Sequence, residues 1–151
     1  MSGKEQRIGY SVRELRILMN RYVDAKRGKS DFADVSFAQG GILHFLLAHQ
    51  DEAVYQRDIE KEFGLRRSTV TGLLQGLEKN GYVERVSVPE DGRLKQIIMT
   101  DRTIAYGKEI ERMVRVDEEV FLRGFSRQEK EALFEALDHI KENIRKEEEL
   151  L

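Results

Sequence analysis

A face of polar side chains on one predicted helix suits contact with the edges of nucleic-acid bases. The helix begins near Arg67, and its apolar residues recur at the spacing of a single face: Val70, Leu73, Leu74 and Leu77. The opposite face contains small or polar residues without negative charge: Ser68, Thr69, Thr71, Gly72, Gln75, Gly76 and Lys79. Hydroxyl groups and an amide can bond base edges and phosphates, whereas an ordinary solvated helix face is the alternative interpretation.

Two glycines in the interior of this helix favour the first interpretation. Gly72 and Gly76 each cost the helix up to about 1 kcal/mol relative to alanine. We therefore expect that a neighbouring group approaches the helix backbone closely at these positions. A contact face explains that requirement better than a face that meets only solvent.

A second basic group lies in a predicted hairpin after the helix. A polar turn from Pro89 to Arg93 leads to a returning strand that starts at Gln96. Arg93 and Lys95 lie at the tip and on the return, where Asp91 can hold the Arg93 guanidinium. An arginine at a hairpin tip can enter a minor groove of DNA. The alternative is a surface ion pair worth about 0–1 kcal/mol.

The elements around these residues have the order of a winged helix-turn-helix. A short helix over residues 55–63 is broken by Gly64. The polar-faced helix follows and ends at Asn80 and Gly81, which tolerate the left-handed conformation of a helix end. Helix, tight turn, helix and two-stranded hairpin is an arrangement that reads DNA.

Amphipathic helices flank this unit. The first covers residues 7–26, and a buried second helix opens at Ser36 with the spacing of a capping box. A long helix capped at Thr100 is predicted to run to about residue 124. A last helix opens at Ser126 in a second capping box. The apolar stripes of these long helices exceed what one chain can cover, which predicts a homodimer.

Composition argues against several classes of protein. No apolar run approaches the roughly 18–20 residues that span a bilayer, and no apolar segment of a signal peptide follows the first residues. Without cysteine the chain has no disulfide frame and no thiolate metal site. The sequence motifs of common enzyme classes are absent, so we expect no enzyme. The expected location is cytoplasmic.

The formal net charge of -2 is low for a DNA-binding protein. The charge is unevenly distributed, however, because six basic residues face four acidic ones between residues 64 and 96, whereas the end of the chain is acidic. The local field at a contact surface matters more than the total. We therefore expect modest affinity for DNA that depends strongly on salt.

Several short segments occur together in a fixed order. They are Ile59 with Phe63-Gly64-Leu65, Ser68-Thr69-Val70-Thr71, Leu77-Glu78-Lys79-Asn80-Gly81-Tyr82-Val83-Glu84-Arg85, Pro89-Glu90-Asp91-Gly92-Arg93, Ile98-Met99-Thr100 and Phe125-Ser126-Arg127-Gln128-Glu129. Each is weak alone, but their order and spacing are specific. The chain resembles the MarR family of bacterial transcription regulators over nearly its whole length.

The resemblance implies a mainly α fold with a small β-hairpin wing in one continuous domain, 1–151. A winged helix-turn-helix lobe of about 36–100 joins a dimerisation lobe formed by the N- and C-terminal helices, about 5–30 and 101–151. The implied function is a sequence-specific transcription regulator, typically a ligand-responsive repressor, that binds a pseudo-palindromic operator as a homodimer. A winged-helix module that binds protein, and a small-molecule or metal sensor with weak DNA binding, are the alternatives.

The predicted contacts with double-stranded DNA follow from the helix, the wing and the resemblance together. They are Arg66, Arg67, Ser68, Thr69, Thr71, Gln75, Asp91, Arg93 and Lys95. We expect the first two to reach phosphates, and Arg93 to enter the minor groove. The chain also departs from the family, since Gly72 and Gly76 stand where many relatives have longer, often basic, side chains. Arg66 stands where a small polar cap residue is usual.

Aromatic residues are the candidate ligand contacts. MarR-like proteins often bind small aromatic or phenolic effectors where the helical and DNA-binding lobes meet. The aromatic residues predicted to line such a cavity are Tyr10, Tyr22, Phe37, Phe45 and Tyr106, with simple core packing as the alternative. No cofactor and no metal site are predicted, because His44 and His49 have a poor spacing for sharing a metal ion.

Overall fold

The computed structural model describes residues 6–28 and 30–151, where seven helices accompany one two-stranded antiparallel sheet. The elements are α1 (Ile8–Arg27), α2 (Phe37–Ala48), α3 (Gln56–Phe63), α4 (Arg67–Lys79), β1 (Val83–Val88), β2 (Asp91–Met99), α5 (Asp101–Ala105), α6 (Gly107–Phe121) and α7 (Arg127–Glu148). This architecture confirms the predicted mainly helical fold with a hairpin wing. Nowhere in the described residues is a helix both long and apolar enough to cross a membrane.

The helices α2, α3 and α4 share one apolar core with the hairpin. Its largest fully buried side chains include Ile42, Leu43, Ile59, Leu74, Leu77, Tyr82 and Val83. Gly64 turns the chain between α3 and α4 at a φ of 61°, a left-handed conformation that glycine adopts without strain. The predicted helix-turn-helix is therefore confirmed, with α4 as its second helix.

Both predicted capping boxes are present. Ser36 Oγ accepts from the Gln39 amide at 3.2 Å, and Gln39 Oε1 accepts from the Ser36 amide at 3.0 Å. Ser126 and Glu129 make the same exchange at the start of α7, at 3.1 and 3.0 Å. Each box satisfies two amides that the first helical turn would otherwise leave without partners.

The hairpin is longer than the sequence predicts. β2 begins at Asp91, where it pairs with Val88, so the turn contains only residues 89–90. The prediction of a turn reaching Arg93 is therefore wrong, because pairing with β1 extends the strand through polar residues. A register shift between Ser87 and Val88 accommodates the extra residues of β2.

The single helix predicted from Thr100 to about residue 124 is in fact two helices, and that prediction is wrong. α6 begins at Gly107, which is buried, and a Cβ there would lie 3.1 Å from Leu47 Cδ2. Within the described residues, Thr100 makes no capping bond with its side chain; its hydroxyl donates to the Gly81 carbonyl at 2.7 Å. These contacts hold α5 against the end of α4, and the start of α6 against α2.

The terminal helices contribute little to the core. In α1, which the structure describes throughout, only Val23 and Arg27 are buried, and in the described α7 no residue is buried. Large apolar side chains are exposed on both helices, among them Leu15 and Phe134. The chain forms two compact units that divide after Val114, within α6. The predicted division into a DNA-binding lobe and dimerisation helices stays a prediction.

Candidate nucleic-acid interface

The helix α4 turns its apolar side into the core and its polar side to solvent. Val70, Leu74 and Leu77 are each 0% exposed. The exposed residues at its start and along its polar side are Arg66, Arg67, Ser68, Thr69, Gly72, Gln75, Glu78 and Lys79. The one acidic residue among them, Glu78, is paired with Arg85, and none is apolar, so the face can meet phosphates and can offer hydrogen-bonding groups to base edges.

The first turn of α4 has two arginines and no side-chain cap. Arg66 is the N-cap residue, and its donor-only side chain makes no capping bond to the helix in the part of the chain that the structure describes. Both Arg66 and Arg67 are exposed. The uncapped amides of a helix start and the positive end of the helix dipole attract anions. Two guanidinium groups beside such a helix start suit contact with phosphates.

Thr71 differs from the other predicted contact residues on α4, because it is half-buried and bonded within the protein. The Gln56 side-chain amide donates to the Thr71 hydroxyl at 2.8 Å and to the Arg67 carbonyl at 3.5 Å. Gln56 is the first residue of α3 and only 8% exposed. The bond holds α4 against α3, a function that the spacing pattern does not reveal. Contact of Thr71 with DNA stays a prediction.

Gly76 makes room for a side chain of α2. Gln39 Nε2 donates to the Leu73 carbonyl of α4 at 3.2 Å, while its oxygen completes the capping box. A Cβ at Gly76 would lie 2.6 Å from that nitrogen. Alanine at Gly76 would therefore displace Gln39 and break hydrogen bonds worth about 0.5–1.5 kcal/mol each. The close approach expected at Gly76 comes from inside the protein.

The wing brings Asp91 and Arg93 together, as their spacing predicts. Asp91 Oδ1 accepts from the Arg93 backbone amide at 3.0 Å and from its Nε at 3.4 Å. The Arg93 side chain is nevertheless 93% exposed, so the guanidinium is oriented and still accessible to a ligand. On the same strand, Lys95 Nζ donates to Ser87 Oγ at 2.7 Å. An exposed pair of this kind adds about 0–1 kcal/mol to stability, so orientation is its main consequence.

An ion pair joins the end of α4 to the first strand of the wing. Glu78 accepts from the backbone amide and from the guanidinium of Arg85, each at 3.1 Å. The Arg85 guanidinium, followed by its backbone amide, holds the pKa of the Glu78 carboxyl below its ordinary value. This pair fixes the base of the wing relative to α4, and no spacing pattern in the sequence predicts it.

A second network follows α4 and is centred on Tyr82, which is fully buried. The Tyr82 hydroxyl donates to Asp34 Oδ1 at 2.7 Å, and the Arg102 guanidinium lies 4.5 Å from the ring centroid. Arg102 Nη1 also donates to the Asn80 carbonyl at the end of α4, at 2.7 Å. Burial, together with the hydrogen bond to Asp34, raises the pKa of Tyr82 to about 12. The network connects the loop before α2, the end of α4 and α5.

Part of the chain matches a known family. Residues 33–94 match the model of the MarR family. The chain is 22% identical over 121 residues to the uncharacterized HTH-type transcriptional regulator YybA of Bacillus subtilis (strain 168), with 78% of each chain covered. The regulator YdgJ of the same organism, also uncharacterized, is 33% identical over 103 residues, which span 66% of this chain and 60% of YdgJ.

Solved structures agree with this match. The S. aureus MepR–DNA complex has a TM-score of 0.79 and 26% sequence identity, covering 93% of this chain and 99% of that chain. The winged-helix part of the chain is therefore similar to the MarR family, which consists of transcription regulators. This chain is a winged-helix transcription regulator that resembles the MarR proteins.

Two of the aromatic residues predicted as ligand contacts in this MarR-like protein lie in different ring clusters. Phe45 packs against Phe63 and His49, with ring centroids 6.0 and 4.3 Å apart. Tyr106 lies edge-on to Phe32 at 5.4 Å. Their rings therefore serve packing in the described structure, and a second role in ligand binding stays a prediction.

The other three predicted ligand contacts belong to α1 and the start of α2. Tyr10 is 65% exposed and lines an open groove of about 440 Å³ together with Leu18 and Arg21. Tyr22 has Lys26 Nζ 5.7 Å from its ring centroid, and Phe37 is half-buried. For these three residues too, ligand binding stays a prediction.

A cavity of about 250 Å³ lies at the base of the wing. Its lining combines apolar residues, Leu46, Val54, Ile97, Ile98, Met99 and Ile104, with polar residues, His49, Gln50, Glu52 and Gln96. None of the five predicted aromatic residues is part of this lining. Among the described residues, no group of three or more His, Asp or Glu side chains is placed to hold a metal ion.

Proposed function

We propose that this regulator binds double-stranded DNA as a homodimer and represses transcription until a small ligand releases it. It acts by binding, as a regulator and not as an enzyme. The observation that carries the proposal is the exposed side of α4 around Ser68, Gly72, Gln75 and Lys79, which is polar, while the other side of α4 is fixed to the core. The one acidic residue of α4, Glu78, lies at the edge of this side and is paired with Arg85. The similarity to MepR, which was solved as a DNA complex, supports it.

Each subunit has one reading helix, which is α4, and one wing, which is the hairpin of β1 and β2. We infer that α4 enters a major groove, where Ser68, Thr69 and Gln75 contact base edges, and that the next subunit does so about one helical turn away. Arg66 and Arg67 contact phosphates at the start of the helix, and Lys95 does so on the wing. Thr71 remains a predicted DNA contact, because its hydroxyl accepts from Gln56 and still has a proton to donate.

The wing adds a contact beside the major groove. Arg93 is oriented by Asp91 yet almost fully exposed, which suits insertion into a minor groove. The Glu78–Arg85 pair supports this geometry, because it holds the wing at the end of the reading helix. A narrow minor groove has an enhanced negative potential that attracts a guanidinium group.

A second copy of the chain is the proposed partner of the terminal helices. Ile8, Val12 and Leu15 recur on one side of α1 and are 58%, 51% and 52% exposed. Apolar surface in water is unfavourable by about 25 cal/mol per Å², so a stripe of this kind favours association. A two-fold dimer buries the same stripe on both subunits and matches the symmetry of a pseudo-palindromic operator.

A small apolar or aromatic ligand is the proposed effector. The cavity at the base of the wing supports this step, because its lining joins the loop after α2 to β2 and α5. A ligand that binds there more tightly in one position of the wing would shift the population of wing positions. The predicted aromatic residues are a second candidate location.

The experiment that tests the proposal selects operators from random duplexes with the full-length protein and then measures affinity for the selected duplex. We expect enrichment of a symmetric sequence, and we expect Arg93→Ala to weaken operator binding by about 1–3 kcal/mol. Arg127→Ala is the matched control, because Arg127 is 92% exposed in an ion pair with Glu131. It removes the same charge from a helix that no predicted DNA contact uses.

The outcomes separate the parts of the proposal. No enrichment of any sequence contradicts DNA recognition by this chain. Enrichment with equal affinity of Arg93→Ala and the parent protein removes the wing from the mechanism and leaves α4. Equal losses in Arg93→Ala and Arg127→Ala show that only total charge matters.

A further inference from the structure

Gly72 lies in the interior of α4, where glycine weakens a helix relative to alanine. A fold requires glycine for a backbone conformation that other residues avoid, or for a neighbour that leaves no room for a Cβ. The first reason does not apply, because the positive φ values of the described residues are at Gly64, Gly81 and Gly124. Another explanation is therefore needed for Gly72.

The second reason does not apply to Gly72 either. Apart from its own helix backbone and chain neighbours, no heavy atom of the described residues lies within 4 Å of a Cβ built there. Gly76, four residues later, is the contrasting case, because its Cβ would lie 2.6 Å from Gln39 Nε2. Gly76 thus has a cause inside the protein, whereas Gly72 has open space in front of it.

The open space lies on the side of α4 that carries the polar residues. At about 100° per residue, Gly72 is within roughly 60° of Ser68, Gln75 and Lys79 around the helix axis. All four are exposed. In helix-turn-helix proteins this side of the second helix faces the base edges. This exposed polar side of α4, the reading face, therefore has hydrogen-bonding side chains around Gly72, which has no side chain.

We propose that Gly72 is a specificity-determining residue, at which the bare backbone of α4 lies against the base pairs. The inference rests on the proposed function and adds a residue that acts through the absence of a Cβ. A methyl group there would hold the helix away from the groove floor. The hydrogen bonds of Ser68 and Gln75 to base edges would then lengthen beyond their useful range, while contacts to phosphates would persist.

The test compares Gly72→Ala with the parent protein in full length. Operator affinity, affinity for an unrelated duplex at the same salt concentration, and the thermal midpoint without DNA are measured. We expect the midpoint to rise by about 2–4 °C, because alanine favours the helix. We expect operator affinity to fall roughly tenfold or more, and affinity for the unrelated duplex to fall less than about threefold.

Asn20→Ala is the matched control. It also replaces an exposed helical residue by a better helix former, but Asn20 lies outside the reading face and roughly 120° round the axis of α1 from the stripe of Ile8, Val12 and Leu15. The control variant should bind the operator as the parent protein does. The inference is supported if Gly72→Ala, and not the control variant, has a higher thermal midpoint, a lower operator affinity and a smaller preference for the operator than the parent protein.

Four results would overturn it. Unchanged operator affinity of Gly72→Ala shows that no DNA group approaches that position. In that case the proposed function still holds if the parent protein prefers the operator to the unrelated duplex. Equal losses on both duplexes show a general effect on binding and not on specificity. A lower thermal midpoint shows that the fold itself requires glycine. A parent protein without any selectivity contradicts the proposed function and the inference together.

Discussion

The helices α2 and α1 bury their residues to very different extents. Of the twelve residues of α2, five are buried, and the core that they join includes α3, α4 and the hairpin. Of the twenty residues of α1, two are buried, although its apolar residues form a wide stripe. The helix-turn-helix unit thus buries its apolar side chains within one chain, whereas α1 leaves most of its apolar stripe exposed.

The difference indicates that one part of the sequence fixes the position of α4, while the terminal helices provide exposed apolar surface. The position of α4 is fixed by the core, by Gln39 and Gln56, and by the Tyr82 network, all within one chain. The terminal helices have apolar surface that a second chain can cover. We therefore expect changes in the dimer to alter the spacing between two reading helices without altering either helix-turn-helix unit.

Charged residues in the stripe of α1 should have the largest effect. Val12→Glu together with Leu15→Glu replaces two side chains that are more than half exposed in the single chain, so the fold of one chain should tolerate them. We expect monomers at concentrations where the parent protein is dimeric, measured by sedimentation equilibrium. Operator affinity should fall by about 10²-fold or more, because two linked binding events become independent.

Asn20→Glu supplies the control for that prediction. Asn20 is exposed on the same helix but lies roughly 120° round the axis from the stripe, and the change adds the same kind of charge. It should leave the dimer intact. A double variant that remains dimeric would show that α1 does not form the interface.

A core substitution in the helix-turn-helix unit should lower stability and leave the dimer unchanged. Leu74 is 0% exposed, and Leu74→Ala should reduce the free energy of unfolding by about 2–5 kcal/mol. Denaturant titrations at one fixed protein concentration measure this, because dimer stability depends on concentration. Dissociation of the folded Leu74→Ala dimer would contradict the separation between the unit and the dimer surface.

Tyr82 should make the helix-turn-helix unit sensitive to alkaline pH, with a smaller effect. Burial and the bond to Asp34 raise the pKa of its phenol from 10.0 to about 12. The neutral form is favoured in the folded state, so the stabilisation is complete below pH 10 and is lost as pH rises toward 12. Tyr82→Phe should show a weaker loss of stability over that range in denaturant titrations. Parallel losses in both proteins would assign the effect to other groups.

The predictable features of this chain are those set by residues close in sequence. The capping boxes at Ser36 and Ser126 each involve residues three apart, and Asp91 and Arg93 are two apart. The left-handed turn at Gly64 follows from glycine itself. The buried and exposed sides of α4 follow from helical periodicity. Local chemistry decides each of these features, so the sequence pattern predicts them.

The features that the sequence pattern misses depend on contacts between distant residues. Gln39 reaches the Leu73 carbonyl across 34 residues, and the Tyr82 hydroxyl reaches Asp34 across 48. The division between α5 and α6 depends on the packing of Gly107 close to Leu47. Such partners are brought together only by the fold. The pattern therefore predicts which side of α4 is exposed, but not which side chains hold it in place.

The most direct test measures binding of the full-length protein to random duplexes by fluorescence anisotropy at about 50 and 200 mM salt. It shows whether the helix-turn-helix units of two chains bind one duplex together. We expect two chains per duplex and a linear fall of the logarithm of affinity with the logarithm of salt concentration. The slope should correspond to several phosphate contacts. Absence of binding at the lower salt concentration would contradict the proposed function, and one chain per duplex would contradict the dimer.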